Sequence, residues 1–331
     1  MGSASFFAAI TSTFWGSLTH RYSPKSLYLI AVIANAFTFF LMGFTVNLSL
    51  LLLLRIIQGL VAGISTIGLI IVSSLSPKER VSANFGLFQS FLTLGLMAGP
   101  PLGSLGAVTL GYRGAFVATT ALFLATSIFF QLYVPPIPRL PRKGRASGMT
   151  FMDRRIVVGW FLCFMAQVQL MFMPSILPNV FETLKIKQTV AIQLAGTVVM
   201  LYSATAMIGT YVFSWLSKRV GVYRMITFLV VGATLLQVLL SFSRGVVDFT
   251  VIRMVQTGLV AATFPLIISL FVEESKGSII GFLNSARYTG NGLGPFMATA
   301  ILAGSNLTTL YFTISGITFL SLLVFRVTFR K

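Results

Sequence analysis

Apolar residues in this chain fall in long blocks, separated by short polar stretches. The blocks cover 3–19, 26–46, 49–74, 83–110, 114–134, 156–178, 190–216, 223–243, 247–271, 278–303 and 308–327. A helix needs about 20 apolar residues to cross the hydrocarbon core of a bilayer. The pattern therefore predicts an all-α membrane protein with eleven transmembrane helices. Nine of the ten separators are brief, and several carry turn or charge signals, as in HRYSPK, SPKER, GYRG and SKRVGVYR. Residues 135–155 (PPIPRLPRKGRASGMTFMDRR) are the exception, being Pro-rich, basic and polar. They read as a linker. The expected organisation is an N-terminal bundle of five spans (1–134), a cytoplasmic linker (135–155) and a C-terminal bundle of six spans (156–331).

Composition fits a lipid solvent. Of 331 residues 56% are hydrophobic and only 9% charged, whereas soluble domains carry about 25% charged residues. The net charge of +18 does not imply nucleic acid as a partner, because the basic residues form no patch. Their placement instead sets an orientation. With alternating spans, 17 of the 24 Lys and Arg fall on one side and 4 on the other, and Arg55, Arg253 and Arg287 lie within spans. The positive-inside rule makes the richer side, with the linker and the C-terminus, cytoplasmic, in a plasma (inner) membrane. With one cysteine (Cys163) and one histidine (His20), neither an internal disulfide nor a multi-histidine metal site is expected. No cofactor is expected either. No acid pair, histidine cluster or activated cysteine is visible for an enzyme.

The two halves repeat one another. Gly86, Gly95, Gly99 and Pro100 have the spacing of Gly281, Gly290, Gly294 and Pro295, at an offset of 195. Gln89 and Asn284 hold equivalent places in the two copies. Arg55-x-x-Gln58-Gly59 is echoed by Arg253-x-x-Gln256-x-Gly258, and GSLTHR (16–21) by SWLSKR (214–219), both at an offset of 198. Internal repeats of this kind are common in transporter folds. The sixth span, 156–178, lacks a counterpart in the first half. The expectation is a twelve-span protein without its first helix, from truncation or from a start assigned too late.

Over nearly its whole length the sequence resembles the major facilitator superfamily. Gly16, Leu18, His20 and Arg21 resemble the cytoplasmic-loop motif after the second helix, with His20 at its acidic position and Ser23 at its glycine position. Arg55–Gly59 resembles the R-x-x-q-G motif. Gly86, Gly95, Gly99, Pro100 and Gly103 resemble the antiporter motif, which points to the drug:proton antiporter (multidrug efflux) branch. The resemblance implies two pseudo-symmetric helical bundles around a cavity, alternating access, and protons as coupling partner in the full-length form. None of the six acids, Glu79, Asp153, Glu182, Asp248, Glu273 and Glu274, falls mid-span, so no residue visible here supports proton coupling.

Buried polar side chains mark candidate cavity residues, since an ionisable group inside a bilayer is costly and faces the bundle interior or water. Arg55 and Gln58 lie one turn apart. Asn284, Arg287 and Asn291 share a helix face at i, i+3 and i+7, with Tyr288 beside them, and Gln89 is the equivalent of Asn284. Arg253 lies closer to a span edge, and a functional role is balanced there against a peripheral one. Gln167 and Gln169 read as core or lipid-facing more readily than as substrate contacts. Asn47-Leu-Ser49 and Asn306-Leu-Thr308 fit a glycosylation pattern but sit too near the membrane to use. The expected activity is export of lipophilic or cationic small molecules. The alternatives are a truncated, non-transporting paralogue and a small-metabolite facilitator or importer of the same fold.

Overall fold

The computed structural model describes residues 2–140, 153–186, 188–272 and 277–329; most of the predicted linker, 141–152, lies outside them. Among the described residues every regular element is helical. In chain order they are α1 (Gly2–Leu18), α2 (Pro24–Phe44), α3 (Leu48–Leu60), α4 (Ile64–Leu75), α5 (Val81–Tyr133), α6 (Arg154–Met171), α7 (Met173–Thr183), α8 (Gln188–Val220), α9 (Val222–Leu239), α10 (Val246–Ala261), α11 (Thr263–Leu270), α12 (Gly277–Ala303) and α13 (Leu307–Phe329). Each of the eleven apolar blocks is helical.

Eight helical stretches are long and apolar enough to cross a membrane, or nine if α6 and α7 form one span bent by 45°. Two blocks fall outside that count. The helix α1 has 17 residues, and α12 carries the polar run between Asn284 and Asn291.

Several blocks are broken, and the chemistry of each break is local. The fourth and fifth blocks join in α5, where Gly111 adopts φ 70° and ψ 167°. That left-handed value favours glycine. Pro174 follows the α6–α7 break, and Pro265 follows the α10–α11 break. A proline lacks an N–H and crowds the carbonyl four residues back, so it releases the carbonyls of Leu170 and Ala261. Asn47 and Asn306 serve as helix starts. Asn47 Oδ1 accepts from the amides of Ser49 and Leu50, and Asn306 Oδ1 from that of Thr309. Their Ser/Thr spacing thus belongs to helix capping.

Contact density divides the chain into two compact units. The first comprises Met1–Ser76, Ala98–Phe151 and Phe271–Tyr288, and the second Pro77–Met97, Met152–Leu270 and Thr289–Lys331. In the first, Trp15, Leu27, Ala31, Ile67, Ile71 and Ile137 form a buried cluster. Opposite that core, α2 presents Ile30, Ile33, Phe37 and Phe44 outward. Lipid, unlike water, exerts no drive to hide such side chains. In the second unit Ala166, Ala233 and Val260 form a close-packed cluster of small residues.

Candidate functional site

In the first unit the polar centre forms where α3 ends and α4 begins. The break leaves successive carbonyls without helical partners, and side chains from three helices supply donors. Trp15 Nε1 donates to Leu60 O at 2.8 Å, Asn35 Nδ2 to Val61 O at 3.1 Å, and the Tyr288 hydroxyl to Ala62 O at 3.0 Å. A bare carbonyl in hydrocarbon costs several kcal/mol, so broken membrane helices need such replacement donors.

Asn284, fully buried, sits above this junction. Its Nδ2 donates to Ser65 Oγ at 3.1 Å and to Thr66 Oγ1 at 2.8 Å. Each hydroxyl has a single proton, which fixes the direction of the bonds beyond. Because Tyr288 donates to Ala62 O, Ser65 must donate to Tyr288, 2.6 Å away. Because Ser12 donates to Gly281 O at 2.8 Å, Thr66 must donate to Ser12, also at 2.8 Å. Two directed chains therefore leave one amide group and end on backbone carbonyls. The Arg287 guanidinium lies 5.2 Å from the centre of the Tyr288 ring, within cation–π range. The half-buried Arg55 Nη1 donates to Gln58 Oε1 at 3.0 Å.

The second unit has its polar centre at Arg253, which is 0% exposed. Expected near a span edge, it is instead fully enclosed. Its Nη2 donates to Gln169 O at 2.8 Å and Leu170 O at 3.3 Å, and its Nη1 to Gln256 Oε1. Leu170 O is the carbonyl that Pro174 displaces, so Arg253 occupies the donor position the proline vacates. The guanidinium also lies 5.3 Å from the Phe172 ring and 5.1 Å from that of Tyr202. Gln256 Nε2 donates to Gln237 Oε1 and to Gln169 Oε1, and Gln169 Nε2 to Thr318 Oγ1 at 3.0 Å. Among the described residues this charge has no carboxylate partner. Its compensation comes from carbonyls at the end of α6, where a helix favours positive charge, and from two ring faces.

The predicted cavity residues divide between the units. Arg55, Gln58, Asn284, Arg287 and Tyr288 belong to the first; Gln89 and Asn291 belong to the second. Asn291 Oδ1 accepts from Gln167 Nε2 at 2.7 Å, and Gln89 is half-buried. The hydroxyls of Ser12, Ser65 and Thr66, and the glutamines Gln169 and Gln237, are not among the predicted cavity residues. Hydroxyls on apolar helices leave no sequence signal. Arg253 and Gln256 have one, in the repeat of the R-x-x-Q motif.

The glycine motifs seat helices closely. A methyl group at Gly86 would overlap the Ser214 side chain and lie 2.9 Å from Thr210 O; one at Gly281 would lie 2.5 Å from Ser12 O. Thr210 and Ser214 stand 198 residues after Ser12 and Gly16, so both copies use equivalent partners. Gly16 and Gly277 meet backbone to backbone. Further along, Gly290 faces Gln167 Cβ at 2.6 Å, whereas Gly95, Gly99 and Gly103 meet nothing within 4 Å among the described residues. Pro100 lies within α5, its side chain outside the described set. In the loop motif His20 Nδ1 lies 3.2 Å from Leu140 O, and Arg21 is exposed.

Comparison with known proteins agrees with this architecture. Residues 1–295 and 160–331 match the family profile described as Major Facilitator Superfamily. The Multidrug resistance protein MdtG of Dickeya zeae (strain Ech586) is 24% identical over 310 residues, covering 90% of this chain and 75% of the relative. The MdtG of Proteus mirabilis (strain HI4320) is 22% identical over 334 residues, covering 98% and 83%. Among solved structures, the human organic anion transporter MFSD10 aligns with a TM-score of 0.80 at 15% identity, covering 98% of this chain and 82% of that one. The E. coli fucose:proton symporter FucP aligns at 0.74, also at 15% identity, covering 99% and 90%. At that identity the likeness is one of fold.

Proposed function

The chain belongs to the Major Facilitator Superfamily, as a multi-pass secondary transporter, and on that premise we propose that it exports lipophilic or cationic small molecules by alternating access. The observation that carries this reading is the equivalent seating of the two glycine motifs, Gly86 against Thr210 and Ser214, and Gly281 against Ser12. Such seats are made of backbone and short side chains, so two helices can part and meet again without untangling long side chains. The similarity to MdtG proteins supports export of drug-like compounds. The topology that goes with it places the linker and C-terminus in the cytoplasm of the inner membrane, and assigns Arg55, Gln58, Gln89, Asn284, Arg287, Tyr288 and Asn291 to the transport path.

A second reading is energy-independent facilitation. It is favoured by the position of the acids: among the described residues Asp248 lies in the first turn of α10 and Glu182 in the last turn of α7, with no carboxylate mid-span. Efflux of a preloaded cationic dye from cells, with and without an uncoupler, tests both. Uncoupler-sensitive efflux above the vector control is the expected result. Efflux indifferent to the uncoupler would leave facilitation, and no efflux above control rejects export.

A further inference from the structure

We propose that a groove on α9, beside the end of α13, seats an anionic phospholipid of the leaflet facing the basic end of the second unit. The groove has a volume of about 490 Å³ and is lined by Tyr223, Arg224, Phe228, Val231, Leu235 and Arg326, among others.

Its layout matches one lipid. Arg224, Phe228, Val231 and Leu235 fall at i, i+4, i+7 and i+11, a single helical stripe. At 1.5 Å per residue the stripe runs about 16 Å, close to half of the ~30 Å hydrocarbon thickness. It therefore reaches from the interface to about the bilayer midplane, the span of one acyl chain. Phe228 and Leu235 are 61% and 66% exposed along it. At the interfacial end Arg224 and Arg326 are both exposed, and among the described residues neither guanidinium meets a carboxylate. The acid nearest to Arg224 in sequence, Asp248, lies 24 residues on, in the first turn of α10. Tyr223 fixes the wall between the two arginines: its ring stacks on Phe325 at 5.9 Å and its hydroxyl donates to Arg326 O at 3.3 Å.

Two guanidiniums at the mouth of an apolar groove suit a phosphodiester, which each can grip through paired N–H donors. A zwitterionic headgroup brings its own cation to the same place, so the site discriminates in favour of net-anionic lipid. Two arginines near a membrane surface correspond to a preference of about tenfold or more.

Binding is read without transport, so a failed efflux assay and a failed lipid site are separate results. Purified full-length chain in detergent is titrated with long-chain phosphatidylglycerol and, in parallel, phosphatidylcholine, and bound lipid is counted by native mass spectrometry. The expected result is about tenfold tighter retention of phosphatidylglycerol, falling to parity in Arg224→Gln/Arg326→Gln. The matched control Lys218→Gln/Arg219→Gln removes the same charge from two exposed residues outside the groove, one of which stacks on Trp215, and keeps the preference. Inorganic phosphate and dihexanoyl phosphatidylglycerol do not displace the long-chain lipid. Equal retention of the two lipids, an unchanged preference in the groove variant, an equal loss in the control, or displacement by phosphate would each overturn the proposal.

Discussion

Arg55 and Arg253 occupy equivalent places in a repeated motif, yet they live in different surroundings. Arg55 is half-buried and, among the described residues, bonds to a neighbour on its own helix, Gln58. Arg253 is enclosed and bonds across to the broken end of α6. The glycines differ in the same way. Gly290 is pressed against Gln167, while its equivalent Gly95 faces open space among the described residues. Duplication thus preserves residue types and spacing, but the packing partner decides what each residue does. The proline at 174 gives Arg253 carbonyls to serve. The α3–α4 break, which has no proline, is served by Trp15, Asn35 and Tyr288 instead.

The largest expected effect tests the arginine pair. Arg253→Leu strands two carbonyls, each worth about 1–3 kcal/mol when left bare, so a loss of roughly 2–6 kcal/mol is expected in SDS titration of the detergent-solubilised protein. Arg55→Leu is expected to cost under about 1 kcal/mol, the scale of one partly exposed hydrogen bond; equal losses would break the contrast.

Asn284 gives the next effect. Asn284→Ala leaves both hydroxyl chains able to donate onward. Asn284→Asp invites Ser65 and Thr66 to turn round, which leaves each chain one hydrogen bond short, at the link to Tyr288 and the link to Ser12, so thermal melting should show the aspartate variant less stable by about 2 kcal/mol or more. An aspartate variant no worse than alanine would refute the directed chains.

The glycine pair comes third. Gly290→Ala overlaps Gln167 and should cost about 1–3 kcal/mol. Gly95→Ala should be neutral or stabilising by up to about 1 kcal/mol, since alanine is the better helix former. Paired fluorescence-detected melting curves read the difference, and a sensitive Gly95 would show that its face is occupied in the membrane. Tyr288→Phe removes the hydroxyl that donates to Ala62 O and leaves that carbonyl bare, which should cost about 1–3 kcal/mol, again by SDS titration.

Much of the fold was legible because bilayer thickness imposes a length on every span. The eleven apolar blocks mark helices for that reason. The breaks at Phe172 and Ala262 were legible in principle from Pro174 and Pro265, but the one at Val61–Gly63 was not, since its only local sign is glycine. Site residues were less legible. Asn284 and Tyr288 stood out as polar groups in an apolar run. Ser12, Ser65 and Thr66 did not, because a hydroxyl can satisfy itself on its own helix, as Thr38 does on Ala34 O. Arg253 was placed near an edge by counting residues. Its burial depends on the end of α6, which lies some 80 residues away in sequence.

The α3–α4 junction couples movement to hydrogen bonding. Ala62 O takes its proton from Tyr288, which belongs to α12. If α12 withdraws, that oxygen is left bare in a medium that offers no other donor. A water molecule, or the Ser65 hydroxyl freed from the phenol, would then have to take its place, so parting α12 from this junction carries a cost in hydrogen bonding.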